Sequence, residues 1–121
     1  MSRSLFTSSL LFAALLGRVL SSHAHAETPI REIPVTVQGG YHPDRIEVPA
    51  GERVRLVFTR TEYSGCTREL LFPALELRVE LPTNQAVVVE LPPLAPGEWS
   101  FHCGMKMIHG SVVVVPAPGA P

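Results

Sequence analysis

The sequence predicts an all-β fold, a Greek-key β-sandwich of seven to eight strands. Three observations support this prediction. Twelve prolines and nine glycines are spread along the 121 residues. No apolar pattern with the helical period persists for three turns. Several short segments alternate apolar and polar side chains, as half-buried strands do. Many short strands separated by turn residues are typical of a sandwich.

Residues 1–26 have the features of a secretory signal peptide. Arg3 supplies a positive charge, residues 5–16 are largely apolar, and Ala24-His25-Ala26 is a small-x-small cleavage motif. A transmembrane anchor is the alternative, but the apolar run is shorter than the roughly 18–20 residues that a span needs. We therefore expect a periplasmic protein that begins at Glu27 and keeps no membrane span.

The rest of the chain is predicted to form one domain over 27–115, followed by a disordered tail over 116–121. Without the two arginines of the signal peptide, eight basic residues face eleven acidic ones, a net charge of −3. The basic residues form no cluster and do not alternate with aromatic ones, which argues against a nucleic-acid partner. No nucleophile–base signature is present, so we expect a monomeric binding protein and not an enzyme.

Eight segments of the domain are candidate strands. Alternation is clearest in 53–59, where Val54, Leu56 and Phe58 fall on one face. Two valine-rich runs are strands that are either covered on both faces or lie beside a partner, and the sequence leaves this open. Proline and glycine turns separate the segments. The candidate strands are 33–37, 45–48, 53–59, 68–72, 76–81, 86–91, 98–103 and 111–115.

The chemistry of the chain is concentrated in the segment 97–110. Within seven residues this segment offers the thiol of Cys103, the thioethers of Met105 and Met107 and the imidazole of His109. A single Met is usually core filler, and a Cys in an exported protein is more often half of a disulfide. So many soft ligands in one short loop nevertheless favour a site for Cu(I) or a similar ion.

The second cysteine, Cys66, follows a polar loop and precedes a candidate strand. A shared metal ion and a Cys66–Cys103 disulfide are both open, because the chain holds an even number of cysteines. Either arrangement requires both residues at the same end of the sandwich: two sulfurs on one ion sit roughly 4 Å apart, and a disulfide needs Cα atoms closer than about 7 Å. His102 alternates with Cys103, so we expect it to face away and to be exposed.

Over residues 33–115 the chain resembles the cupredoxins, in particular the small periplasmic, plastocyanin-like domains with a Cys-Gly-Met loop. Residues 41–52 resemble the family's N-terminal turn, short strand and second turn. Residues 97–103 are similar to the penultimate strand, in which a Gly, an aromatic residue and a Phe precede the copper-binding Cys. Gly110 and the valines after it resemble the last strand. The resemblance implies copper as the cofactor.

The resemblance also implies where the ligands lie. Cys66 stands in the loop that carries the family's first His, and 104–106 replace the stretch that carries the second. Sulfur therefore takes the place of the two imidazoles of a blue-copper site, which favours Cu(I). The implied ligands are Cys103, Cys66, at least one of Met105 and Met107, and, with a weaker claim, His109.

The function that the resemblance implies is copper homeostasis: holding or handing over Cu(I) for trafficking or tolerance. The expected partners are the copper ion and a periplasmic or membrane copper-transport protein. Two alternatives stay open. One is an electron-transfer cupredoxin that cycles between Cu(I) and Cu(II), and the other is a metal-free structural domain with a Cys66–Cys103 disulfide.

Overall fold

A computed structural model describes Gly17 and residues 29–117, and within them the chain forms a sandwich of two β-sheets. The all-β prediction is confirmed. The described residues contain no α-helix, only 3-10 turns at Gly65–Arg68 and Pro73–Leu75. None of their helical segments is long and apolar enough to cross a membrane. The strands are β1 Ile30–Val37, β2 Tyr41–His42, β3 Arg45–Pro49, β4 Arg53–Arg60, β5 Glu69–Phe72, β6 Leu77–Glu80, β7 Ala86–Leu91, β8 Gly97–Cys103 and β9 His109–Val115.

The four-stranded sheet has the order β2-β1-β4-β7, and the five-stranded sheet has the order β3-β9-β8-β5-β6. Two pairings, β1 with β4 and β3 with β9, are parallel, and the other strand pairs are antiparallel. Strands that are neighbours in sequence therefore often lie in different sheets. This arrangement joins segments from the beginning and the end of the domain.

The core lies between the sheets and is filled by apolar side chains that alternate along the strands, as the sequence predicts. On β4 Val54, Leu56 and Phe58 all point inward. Phe58 and Phe101 contact each other edge to face, with ring centres 5.8 Å apart, a geometry that aromatic pairs prefer. The Phe101 ring also lies over Gly110 of β9, where a Cβ atom would collide with the ring. This close packing fixes β8, and with it the end of β8 that carries Cys103.

Several strand bounds differ from the prediction, and the structure decides the surroundings of the valine runs, which the sequence left open. β1 begins at Ile30, three residues earlier than expected, and the two-residue strand β2 was not predicted. The expected strand 68–72 begins one residue later, since a 3-10 turn takes up Arg68. The valine runs have different surroundings: β9 lies between two strands, whereas β7 is an edge strand with Val88 53% exposed. The predicted signal peptide, apart from Gly17, and residues 118–121 of the predicted tail lie outside the described residues.

Candidate metal centre

The two cysteines meet at one end of the sandwich. Cys103 is the last residue of β8 and is fully buried, whereas Cys66 is partly exposed in the 3-10 turn Gly65–Arg68. The turn leads directly into β5, which pairs with β8 so that Leu70 lies opposite Cys103. The Sγ atoms are 2.9 Å apart, and both residues are free thiols. The expectation that both lie within reach of one ion or of each other is confirmed.

The two thiols differ in their affinity for a proton. The hydrogen bond to Cys103, together with burial and the negative charge of Cys103, raises the pKa of the Cys66 thiol. Burial opposes ionisation of Cys103, but the hydrogen bond from Cys66 and the backbone N–H groups of Ile108, Met107 and Met105 outweigh it and lower the pKa of Cys103. Of the two thiols, Cys103 therefore ionises first and Cys66 keeps its proton to higher pH, and the thiolate is the form that binds metal.

A buried arginine fixes the backbone on both sides of Cys66. Arg60 ends β4 with its side chain 5% exposed. Its Nε donates to Thr67 Oγ1 at 3.2 Å, and its Nη2 donates to the carbonyl oxygen of Ser64 at 3.1 Å. Its Nη1 donates to the carbonyl oxygen of Leu81 and to Thr83 Oγ1. One guanidinium thus ties the cysteine turn to the segment after β6.

Glu62 completes this network. Its carboxylate accepts hydrogen bonds from the hydroxyl of Thr67 at 2.7 Å and from the backbone N–H of Gly39 at 2.9 Å. Its carbonyl oxygen accepts from Thr83 Oγ1. The hydroxyl of Ser64 accepts from the backbone N–H of Cys66. We call these five residues, Arg60, Glu62, Ser64, Thr67 and Thr83, the clamp, and they hold Cys66 in place before any ion binds.

The methionine loop, residues 104–107, is held more loosely. Its tip is a turn in which the N–H of Lys106 donates to the carbonyl oxygen of Cys103, and Lys106 has a φ of 58°. The side chains of Met105 and Met107 are 64% and 75% exposed. Core packing therefore explains neither methionine. The role of the two thioethers as ligands stays a prediction.

His109 lies on the same hairpin but is directed elsewhere. Its Nε2 is 2.7 Å from the carbonyl oxygen of Lys106, and its ring lies 5.9 Å from the ring of His102, measured between centres. Among residues 29–117, no group of three or more His, Cys, Asp and Glu side chains is placed to hold an ion. Within the described part of the chain, a third ligand for an ion on the two thiols would thus come most directly from Met105 or Met107.

The expectation that His102 is exposed is wrong. Its side chain does point away from the core face of β8, as alternation requires, but it is only 9% exposed. Its Nδ1 is 2.6 Å from the carbonyl oxygen of Cys103. Leu71 of β5 and His109 of β9 lie opposite His102 on its two sides, because β8 is an inner strand of its sheet. The outer face of an inner strand can still be covered by neighbouring side chains.

Tyr41 is a further residue that the sequence did not indicate. It is 2% exposed, and its hydroxyl is buried without a hydrogen-bond partner among the described residues. Burial raises the pKa of Tyr41, and the negative charges of Cys103 and Cys66 raise it further. Tyr41 therefore responds to the charge state of the thiol pair.

The surface beside the thiols is accessible. An open cavity of about 660 Å³ adjoins the methionine loop, with Gly104 and Met105 in its wall. The other wall residues are mostly polar and include Arg60, Arg68, Glu69 and Glu80. Tyr63, three residues before Cys66, is 84% exposed. Both cysteine-bearing segments thus carry exposed side chains with apolar surface.

Comparison with known proteins places these features in a family context. A family model described as a cupredoxin-like domain matches residues 9–114. No curated protein matches the sequence. Among solved structures, the chain is similar to the metal-binding domain of the Cu(I)-exporting P-type ATPase CopA of Streptococcus pneumoniae D39, solved with Cu(I). The identity is 32% over 74% of this chain and 89% of that one, with a TM-score of 0.69.

Two further structures extend the comparison. A copper-binding protein solved in its apo form is 40% identical over 71% of this chain and 88% of that one, with a TM-score of 0.67. Auracyanin B, at 19% identity over 74% of this chain and 92% of that one, has a TM-score of 0.57. At that identity auracyanin B supports the fold alone.

Proposed function

Because the chain belongs to the cupredoxin-like domain family, we propose that it is a periplasmic copper-binding protein that holds or hands over Cu(I) through Cys66 and Cys103. The observation that carries this proposal is the pair of free thiols 2.9 Å apart, next to two exposed thioethers. Thiolate and thioether ligands select Cu(I), whereas Cu(II) in tetragonal geometry prefers nitrogen and oxygen. An ion between the sulfurs would need them to move about 1 Å further apart.

The structural relatives support the same proposal. Both relatives above 30% identity are copper-binding proteins by description, and one of them is part of a Cu(I) exporter. We propose that the present protein acts in trafficking or tolerance, binds its ion without catalysing a reaction, and passes it to a copper-transport protein. The exposed methionines and the adjoining open cavity give such a partner a surface to contact.

Electron transfer is a weaker candidate because of the ligand set. A blue-copper site requires two imidazoles beside the thiolate. Here Cys66 stands at the first of these positions, and the His109 ring contacts the carbonyl oxygen of Lys106. A site rich in sulfur stabilises the reduced ion, so reoxidation of the bound copper would be unfavourable.

The test is an anaerobic Cu(I) titration of the reduced chain against a competing chelator. We expect tight one-to-one binding, its loss in Cys103→Ser and severe weakening in Cys66→Ser. Added Cu(II) should give no intense visible thiolate band, since it oxidises the thiols. Ser111→Ala on β9 is the control that leaves both thiols intact. A stable, intensely coloured Cu(II) form that cycles reversibly would support electron transfer, and tight Cu(I) binding by Cys103→Ser would disprove the site.

Export is tested separately. If the chain is exported, intact-mass analysis of protein recovered from the periplasm should give a species that begins at Glu27. A membrane-bound species that retains residues 1–26 would contradict this part of the proposal.

A further inference from the structure

We propose that His102 and His109 form a second metal site, suited to a divalent cation that prefers nitrogen, such as Cu(II). The site lies on the outer face of the five-stranded sheet, whereas Cys103 points to the inner face of the same strand. It is distinct from the thiol pair and does not depend on the thiols binding Cu(I). It also gives His109 a role other than that of a ligand beside Cys66 and Cys103.

The two imidazoles are placed side by side by the strand register. His102 of β8 and His109 of β9 are directly opposite each other in an antiparallel pair. The next pair along the ladder is joined by a hydrogen bond from Cys103 N to Ile108 O, so the histidines occupy a non-hydrogen-bonded position, where side chains are closest. Their ring centres are 5.9 Å apart. An ion about 2.0–2.1 Å from one nitrogen of each ring would put the centres roughly 4.5–6.5 Å apart, depending on the angle between the two metal–nitrogen bonds.

In each ring one nitrogen donates a hydrogen bond to a backbone carbonyl oxygen, and the other nitrogen is available to bind a metal ion. A carbonyl oxygen only accepts hydrogen bonds, so Nδ1 of His102 must donate to Cys103 O at 2.6 Å, and Nε2 of His109 must donate to Lys106 O at 2.7 Å. The neutral rings then carry lone pairs on Nε2 of His102 and Nδ1 of His109. Metal-binding histidines typically donate their other N–H to a carbonyl or carboxylate in this way, which fixes the ring and its tautomer.

Burial distinguishes this pair from ordinary surface histidines. His102 is 9% exposed and makes no further hydrogen bond within residues 29–117, yet its Nε2 is not fully buried, so an ion can reach the lone pair. His109 is exposed, which leaves one side of the pair open to an arriving ion and to the waters that would complete its coordination. The protein provides two imidazoles and no third His, Cys, Asp or Glu in the described residues.

The choice of ion follows from ligand chemistry. Imidazole suits Cu(II), Zn(II) and Ni(II), whereas thiolate and thioether suit Cu(I). The hairpin of β8 and β9 therefore carries soft sulfur ligands at its tip and borderline nitrogen ligands on its outer face. The two sites would sort copper by oxidation state.

The test uses the full chain with Cys66→Ser and Cys103→Ser, in which Cu(II) meets no thiol to oxidise. We expect one Cu(II) to bind with nitrogen hyperfine structure in its electron paramagnetic resonance spectrum. His102→Gln and His109→Gln should each weaken binding at least tenfold. His42→Gln is the matched control, since His42 is an exposed histidine whose Nε2 also contacts a backbone carbonyl. A second control, His23→Gln with His25→Gln, tests whether the two N-terminal histidines contribute to Cu(II) binding.

The outcomes separate the two sites. Unchanged Cu(II) affinity in His109→Gln would overturn the proposal, and this variant alters an exposed side chain even if His102→Gln impairs folding. Cu(I) titration of the chain with both cysteines should be unaffected by His109→Gln. A tenfold loss of Cu(I) affinity there would assign His109 to the thiol site and would equally overturn the proposal, while leaving the proposed Cu(I) function intact.

Discussion

The two sulfur-bearing segments that meet at the end of the sandwich are built in opposite ways. Cys66 is held by the clamp, in which a buried arginine and a carboxylate tie the turn to three other segments. The methionine loop has a single turn at its tip, and its two thioethers are largely exposed. The thiols are thus positioned in advance, whereas the exposed thioethers would have to move to contact an ion in the proposed site. A protein that hands over its ion needs both properties.

The largest expected change in stability follows from the loss of the clamp arginine, Arg60. Arg60→Met leaves two carbonyl oxygens and two hydroxyls without their donor. A buried group left unsatisfied costs about 1–3 kcal/mol, and such costs are not additive within one hydrogen-bond network. We expect the free energy of unfolding to fall by about 2–4 kcal/mol in urea titrations.

Arg78→Met is the matched control for this change. Arg78 is 65% exposed and makes one ion pair, with Glu69, so its loss should cost less than about 1 kcal/mol. If the two variants lose the same stability, the clamp does not hold the Cys66 turn as described.

The proton on Cys66 gives the second prediction. The pKa of Cys66 is raised above its ordinary value, so near neutral pH this thiol retains a proton that a bound ion must displace. Cu(I) affinity should therefore rise with pH, by about tenfold per unit for each proton that the ion displaces.

Competition titrations between pH 5.5 and 8 measure the slope of the logarithm of Cu(I) affinity against pH. Cys66→Ser, which removes one of the two thiols that must release a proton, should reduce the dependence of Cu(I) affinity on pH. A slope near zero for the chain with both thiols would mean that the pair is already fully ionised, contrary to the pKa directions.

Substitutions in the methionine loop should affect Cu(I) affinity and leave stability nearly unchanged, unlike loss of the clamp arginine. Met105→Leu and Met107→Leu replace exposed side chains, and we expect each to change the free energy of unfolding by less than about 0.5 kcal/mol. At least one of them should lower Cu(I) affinity by about tenfold, since a thioether ligand is lost. If neither variant affects the affinity, the thiols bind the ion without thioether help.

Tyr41→Phe should have the smallest effect. The substitution keeps the ring contacts with Phe58 and Phe101 and removes a buried hydroxyl that has no partner in the described residues. Stability at neutral pH should stay the same or rise by up to about 1 kcal/mol. A loss of more than that would mean that the hydroxyl has a partner, such as a bound water.

The same variant has an alkaline test. The pKa of Tyr41 is higher in the folded state than in the unfolded chain, where it is about 10. The protonated hydroxyl therefore makes its full contribution to the free energy of unfolding below about pH 10, and this contribution is lost as the pH rises further. Wild type should therefore lose stability above roughly pH 10 more steeply than Tyr41→Phe, as followed by thermal unfolding at a series of pH values.

The sequence predicted most of the sandwich because apolar alternation is a local signal. β4 illustrates both the success and its limit. Val54, Leu56 and Phe58 marked the inward face, and Arg60 falls on the next inward position. The alternation of apolar residues ends before this charged residue, and the predicted strand ends at 59. Its burial depends on acceptors from distant segments, such as Leu81 and Thr83.

The site was predictable in part for the same reason. The position of Cys103 at a strand end and the resemblance of the loop to a known family indicated that the two cysteines meet. The burial of His102 was missed, because alternation gives the direction of a side chain and not what covers it. Tyr41 was missed because its hydroxyl approaches the thiols from β2, a strand of two residues that carries no periodic signal.

The pairing of β5 with β8 determines when the thiol pair can form. It places Leu70 opposite Cys103 at the end of the sandwich, beside the turn that carries Cys66. The two cysteines are 37 residues apart in sequence, so the intervening loop must close before their sulfurs can meet. A chain that emerges from its N-terminus first therefore keeps its thiols apart until β8 has been synthesised and has paired with β5.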